Sequence, residues 1–151
     1  MEQTFVMLKP GGLQRRIAGD IISRFEKKGL KIIALKLMQL DKATVETHYA
    51  EHKGKGFFEG LVKYAVSGPV IAMVLEGNQA IVLTRNLVGP TKYLEAMPGT
   101  IRGDYASCMT LNMIHASDSK ESAAREIGIF FKKEELCSWE DGNEKWFFQE
   151  D

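Results

Sequence analysis

Apolar residues recur along this chain in two rhythms, short nearly continuous runs and longer stretches spaced by three or four. The first run, Thr4 to Leu8, is apolar almost throughout and stops at Lys9-Pro10-Gly11-Gly12, which predicts a buried strand closed by a turn. A helix is expected from about Leu13, with Ile17, Ile21, Ile22 and Phe25 on one face and Gly29 as its stop. Leu30 to Leu40 then reads as a long strand with Ile33, Leu35 and Leu37 facing one way. Asp41 caps a short helix to about Glu51, and the turn Lys53-Gly54-Lys55-Gly56 leads into a second, Phe57 to Val66. Pro69 to Leu75 predicts a buried strand closed by Glu76-Gly77, and Asn78 caps a helix to about Leu87. After the irregular stretch 88–104, a last strand is expected from Cys108 to Ile114. The final helix is capped at Asp118 or Ser119, has Glu121 as capping-box partner, and carries Ala123, Ala124, Ile127 and Phe130 as its stripe.

These strands lie too close in sequence for a large doubly wound sheet. The order fits an α+β fold, a ferredoxin-like four-stranded antiparallel sheet with helices packed on one face. No repeat, low-complexity tract or Pro/Ser-rich linker interrupts the chain, so residues 1–151 read as a single domain.

Composition narrows the classes further. Apolar residues make up 44% and charged residues 26%, as in a globular protein. No run approaches the roughly 20 apolar residues that a bilayer span needs. The N-terminus lacks the basic start, apolar centre and cleavage site of a signal peptide, so the expected compartment is the cytoplasm and the expectation for Cys108 and Cys137 is reduced thiols. Twenty basic residues balance twenty acidic ones, which removes any built-in long-range attraction to nucleic acid or membrane. An anion site must therefore be a local cluster, and small phosphorylated ligands suit one.

Two places invite chemistry. The 88–104 stretch is long for a structureless loop in a compact domain, and such loops tend to be functional. It is flanked by Arg85 and contains Thr91 and Arg102, two guanidinium forks and a hydroxyl suited to phosphate oxygens, with solvated surface arginines as the competing reading. His115 ends an apolar strand within Asn112-Met113-Ile114-His115-Ala116-Ser117-Asp118-Ser119. A core histidine bonded to a carbonyl is one reading. The other is a nucleophile, because neutral imidazole attacks readily near neutral pH and Glu126, in the following helix, can reach a ring N–H.

Gly54-Lys55-Gly56-Phe57-Phe58-Glu59-Gly60 has one residue too many for a dinucleotide fingerprint, and no Walker A sequence occurs. Tyr49, Phe57 and Phe58 beside the lysine turn allow base stacking, with helix packing as the alternative, preferred for Phe58. His48 and His52 are spaced i,i+4 without the Glu of a zinc protease, and no metal-ligand cluster is expected. A Mg²⁺ ion arriving with a nucleotide needs no protein cage.

With these residues in view, the chain resembles the nucleoside diphosphate kinases over essentially its whole length. The matching segments are Thr4-Phe5 with Leu8-Lys9-Pro10, His48-Tyr49, Phe57-Phe58, Ser67-Gly68-Pro69-Val70, Pro98 to Asp104, and Asn112-x-x-His115-x-Ser117-Asp118-Ser119. The resemblance implies a kinase that moves the γ-phosphate of a nucleoside triphosphate, typically ATP, to a nucleoside diphosphate through a phosphohistidine on His115, with Mg²⁺ held by the nucleotide. It implies that Glu126 holds the His115 ring, that Lys9 and Tyr49 sit beside the transferring group, and that Arg85, Thr91 and Arg102 bind the outer phosphates. His48 is placed near the innermost phosphate, Asn112 with Lys9 at the ribose, and Phe57 and Leu61 at the base. It also implies a homo-oligomer, most often a hexamer, with no membrane and no nucleic acid required. Three departures stand out: Ala116 where glycine is usual, Gly11 where aspartate is common, and Tyr93 where many members have a proline linked to subunit contacts. The competing readings are a degenerate homologue that binds nucleotides without transfer, and a ferredoxin-like nucleic-acid-binding module. The intact His115, Lys9, Tyr49, Arg85, Arg102 and Asn112 set disfavours the first and the neutral charge the second.

Overall fold

Because β1 (Glu2–Leu8) is apolar on both alternating sets of side chains, it can only be stable in the middle of a sheet covered on two sides. The computed structural model, which describes residues 1–109 and 111–148, places it there. Four antiparallel strands run in the order β2 (Lys31–Met38), β3 (Val70–Gly77), β1, β4 (Ile114–Ala116). The ferredoxin-like expectation holds, with one correction: helices cover both faces. Phe5 and Met7 point into a core shared with α2 (Lys42–His48), α3 (Phe58–Ala65) and α6 (Lys120–Phe130). Val6 and Leu8 point the other way, toward α1 (Ala18–Lys27), α4 (Ala80–Val88) and α5 (Ile101–Tyr105).

Several boundaries differ from expectation. The first helix begins at Ala18 rather than Leu13, because residues 11–16 form turns in which Arg16 takes a φ of 57° that ends any helical run. The stretch 88–104 contains a single-turn 3₁₀ segment at Tyr93–Glu95 and the start of α5, capped by the Thr100 hydroxyl, which accepts from the Gly103 N–H. The last strand is Ile114–Ala116, so His115 lies inside it and Cys108 outside. Gln79, not Asn78, precedes α4, and Ser119 pairs with Ser122, not Glu121, in the capping box of α6. Ala124 is exposed, and the buried stripe of α6 includes Glu126 in its place.

In β2 the register against β3 slips between Ile32 and Ala34. A one-residue bulge turns every later side chain to the other face, so Ile33 is buried while Leu35 and Leu37 are 51% and 65% exposed. The outer edge at the bulge is closed by the chain itself: the Cys137 N–H donates to the Ile33 carbonyl at 2.7 Å and the Trp139 indole to that of Ile32 at 3.0 Å. Cys108 and Cys137 are unpaired thiols, and no described helix is long and apolar enough to cross a membrane. The short α7 (Glu144–Phe147) lays Phe147 against Gly29, whose missing Cβ would sit 2.7 Å from the Phe147 ring, while Trp146 is 76% exposed. Gln149, Glu150 and Asp151 lie outside the described residues.

Candidate active site

The pairing of β1 with β4 sets His115 opposite Met7 and Ile114 opposite Leu8, so the turn after β1 and the nucleophile candidate share one end of the sheet. Lys9 follows directly. Its N–H donates to the Met113 carbonyl at 2.8 Å and its Nζ to Asn112 Oδ1 at 3.0 Å. The buried Tyr64 hydroxyl donates to the Pro10 carbonyl at 2.6 Å and holds this turn from α3. Between Asn112 and Ile114 the backbone folds tightly: Met113 has a φ of 65° and the Ile114 N–H donates to the Asn112 carbonyl at 2.8 Å, a γ-turn of the rare positive-φ kind.

Glu126 faces the strand from α6, 3% exposed, and its Oε2 accepts from His115 Nε2 at 2.9 Å and from the Ser117 hydroxyl at 2.5 Å. With Nε2 acting as the donor, the lone pair of the neutral ring is left on Nδ1. His115 remains partly exposed, so that nitrogen belongs to a ring that solvent and a ligand can reach. Arg125 lies on the far side of the pair, donating to the His48 carbonyl at 3.3 Å and standing 3.5 Å from Glu126 Oε1.

Four cationic or polar side chains gather round this ring. Lys9 is 5% exposed, and burial followed by the Arg102 charge lowers its pKa to about 8. Its Nζ lies 6.0 Å from the Tyr49 ring centroid. Arg102 is 3% exposed and donates to the carbonyls of Gly89 and Ile114 at 2.8 and 2.7 Å, which ties the loop to the sheet and leaves further N–H groups free. Burial, then Arg85, lowers its pKa to about 10. Arg85 reaches the Ala116 carbonyl at 3.4 Å. The Tyr49 phenol is pushed up by burial and then by Glu126, so it is a donor at any working pH. Of the six buried side-chain atoms without a partner among the described residues, four are here: both His48 nitrogens, Tyr49 Oη and Arg102 Nε. Buried polar atoms left open in one place suit a ligand that supplies the missing oxygens.

The sequence-predicted residues are not all equally placed. His115, Glu126, Lys9, Asn112, Tyr49, Arg85 and Arg102 converge. Thr91 is exposed on the loop. Phe57 is 56% exposed at the rim, with Leu61 half-buried one turn along α3, and Phe58 packs into the core as the helix-packing reading has it. The expectation for His48 needs correction: it is 2% exposed, its ring 4.6 Å from that of His115 and 5.2 Å from that of Phe130, so it is packed beneath His115 with no open face for a phosphate. The histidine at the rim is His52, whose ring lies 6.1 Å from Tyr49 and 5.3 Å from Phe57. Its spacing of three from Tyr49 on adjoining helical turns was the available signal. Ser117 and Arg125, which also contact Glu126, carry no signal in the sequence that marks them as its partners.

Comparison with known proteins agrees with this geometry. The family model described as Nucleoside diphosphate kinase matches residues 2–136. A nucleoside diphosphate kinase of Carboxydothermus hydrogenoformans is 56% identical over 149 residues, 99% of this chain and 100% of that protein. One from Archaeoglobus fulgidus is 52% identical over 150 residues, covering 99% of each. Among solved structures, a halophilic nucleoside diphosphate kinase from Halobacterium salinarum in complex with CDP has a TM-score of 0.95 and 47% identity, over 98% of this chain and 99% of that one. Fold, converging side chains and near-complete coverage by such relatives lead to one assignment: this chain belongs to the nucleoside diphosphate kinase family.

Proposed function

We propose that this kinase moves a phosphoryl group from nucleoside triphosphate to nucleoside diphosphate with His115 Nδ1 as the carrier. The observation that carries the reading is the Glu126 carboxylate on Nε2, which fixes the tautomer and aims the free lone pair. In the first half-reaction the lone pair attacks the γ-phosphorus, an N–P bond forms, and the bond to the β-phosphate oxygen breaks. In the second, a terminal oxygen of another nucleoside diphosphate attacks the same phosphorus and the N–P bond breaks.

Phosphoryl transfer through a loose transition state depends on positioning and charge. Lys9 and the Tyr49 hydroxyl serve the transferring group, Arg85, Arg102 and Thr91 the outer phosphates, Asn112 with Lys9 the ribose, and Phe57 with Leu61 the base. His52 replaces His48 as the histidine facing the phosphate chain. The imidazole-rich group His48, His115, Glu126 does not suit Mg²⁺, which favours oxygen ligands, so Mg²⁺ fits as an ion held by the nucleotide phosphates, where it neutralises their charge.

His115→Ala should lose both turnover and the acid-labile label from radioactive ATP while keeping its circular dichroism spectrum. Retained turnover would overturn the mechanism. The exposed Phe57 offers stacking rather than polar readout of base edges, so kcat/KM should be comparable for adenine, guanine and pyrimidine diphosphates. The CDP in the halophilic relative supports acceptance of a pyrimidine. A thousandfold preference for one base would reveal a polar contact not identified above. We place the protein in the cytoplasm, where its substrates are, as a single domain over 1–151 and a homo-oligomer, most often a hexamer in this family.

A further inference from the structure

We propose that His48, His115 and Glu126 together form a binding site for a divalent cation that prefers imidazole, with zinc as the reference ion, and that filling it switches the nucleophile off. One ring nitrogen of each histidine and one carboxylate oxygen of Glu126 lie within 4.8 Å of one another. Two imidazoles and a carboxylate are a common ligand set for zinc sites that keep an open fourth position. Tetrahedral bonds of about 2.0–2.1 Å set ligand atoms roughly 3.3 Å apart, so the separations here close by modest side-chain rotation.

His48 is the independent observation. It is 2% exposed, both of its nitrogens lack a partner, and no step of the transfer uses it. A buried imidazole with no hydrogen bond is destabilising, and coordination satisfies one of its nitrogens. Mg²⁺ does not compete for such a site, because it favours six oxygens. Lys9, Arg102 and Arg125 oppose an incoming cation, so binding should be weaker than at a closed structural site.

The effect on transfer follows from the electron count of imidazole. A neutral ring has one N–H and one lone pair. If the metal takes the lone pair of Nδ1, that nitrogen is blocked. If it takes Nε2, the ring proton moves to Nδ1, Glu126 ligates instead of accepting a hydrogen bond, and Nδ1 again has no lone pair. Either mode removes the attacking atom. Binding stands on the geometry alone, whereas the loss of transfer rests on the proposed role of His115, and the two are measured separately.

Cobalt(II) serves as the visible probe. Titration of the purified full-length protein with Co²⁺ should produce the intense absorption between about 500 and 650 nm of a four-coordinate ion, and Zn²⁺ should abolish it. His48→Gln and Glu126→Gln should each weaken binding at least tenfold, while His52→Gln, which removes the part-buried histidine at the rim, should not. X-ray absorption on the zinc-loaded wild-type protein should require two imidazoles, a result independent of whether the variants fold. Phosphoenzyme formation at saturating Mg-ATP should fall as Zn²⁺ is added and recover with a chelator. Absence of the cobalt bands, or a single imidazole in the absorption fit, overturns the site. Intact bands with undiminished phosphorylation overturn the switch, while a label that survives His115→Ala overturns the carrier assignment and leaves the cation site standing.

Discussion

Met113 holds a backbone shape its side chain disfavours, and the neighbouring residues give the reason. A positive φ in a non-glycine residue costs about 1–3 kcal/mol and persists only where its surroundings impose it. Here the turn aims Asn112 at Lys9 Nζ while Met113 itself is 3% exposed. Met113→Gly should therefore change stability little, strain relief offsetting lost burial, yet raise KM through a loosened Asn112; urea denaturation and steady-state kinetics check the two halves. Glu126→Gln should cut phosphoenzyme formation roughly 10–100-fold, since the charged partner that fixes the ring is gone. Lys9 gives a pH prediction. Its ammonium is present below about pH 8 and is lost above it, so kcat/KM should fall on the alkaline side with a midpoint near 8. In Lys9→Arg that limb should move beyond the accessible range, which a pH–rate series would measure. Ala116 causes no difficulty, because its backbone lies outside the positive-φ region that needs glycine. At this scale His115 and Glu126 were legible from the residues themselves, whereas the roles of Lys9 and Asn112 came from the family resemblance, and the structure brings all four together. The exchange of His48 for His52 was only faintly legible, through the spacing of three between Tyr49 and His52. Both lie in one helical stretch flanking Tyr49, and only the packing of Phe5 and Phe130 against His48 decides which one is buried.

Between residue and molecule, α5 is the element on which the loop proposed to bind the outer phosphates depends. Arg24 of α1 donates to Asp104 at 2.7 Å and to the Gly99 carbonyl at 3.2 Å, so the helix carrying Arg102 and the residue just before its cap are tied to α1 by one guanidinium. Gly103 is fixed by contact, not by φ: an added Cβ would meet the Met97 carbonyl oxygen at 2.0 Å. Gly103→Ala should destabilise by about 1–3 kcal/mol and lower kcat/KM as Arg102 shifts, read by thermal denaturation alongside kinetics. The helix was illegible beforehand because one short turn interrupted by glycine has no apolar periodicity to display. The bulge in β2 was hidden for a different reason. Ile33, Leu35 and Leu37 alternate as a regular strand would, and the slip is imposed by pairing with β3 and by the Cys137 and Trp139 donors, which are distant in sequence.

For the whole molecule, the exposed Leu35 and Leu37 on one edge and Leu94 and Met97 on the loop are apolar surface that a partner subunit can cover. Light scattering at micromolar and nanomolar concentration should give a particle near six times 16.9 kDa at both; a stable dimer or tetramer would mean that Tyr93 has redirected the assembly. The C-terminal aromatics serve two ends, Phe147 packing on its own chain and Trp146 remaining available outside. The sheet order was legible because an apolar first strand needs neighbours on both edges. The two-sided cover was less so, since it depends on which face each helix docks against. That same order governs how the protein comes into being. Lys9 stands beside β4 only when Leu8 pairs with Ile114, and the partner of His115 lies further along, in α6. A chain leaving the ribosome thus has its first strand long before it has a reactive histidine, and contacts so distant in sequence are slow to close. Truncated or stalled chains that end before α6 lack the carboxylate that fixes the His115 tautomer, so on the mechanism proposed above labelling of this histidine should rise sharply only once synthesis has passed residue 126 and the two ends of the sheet have met.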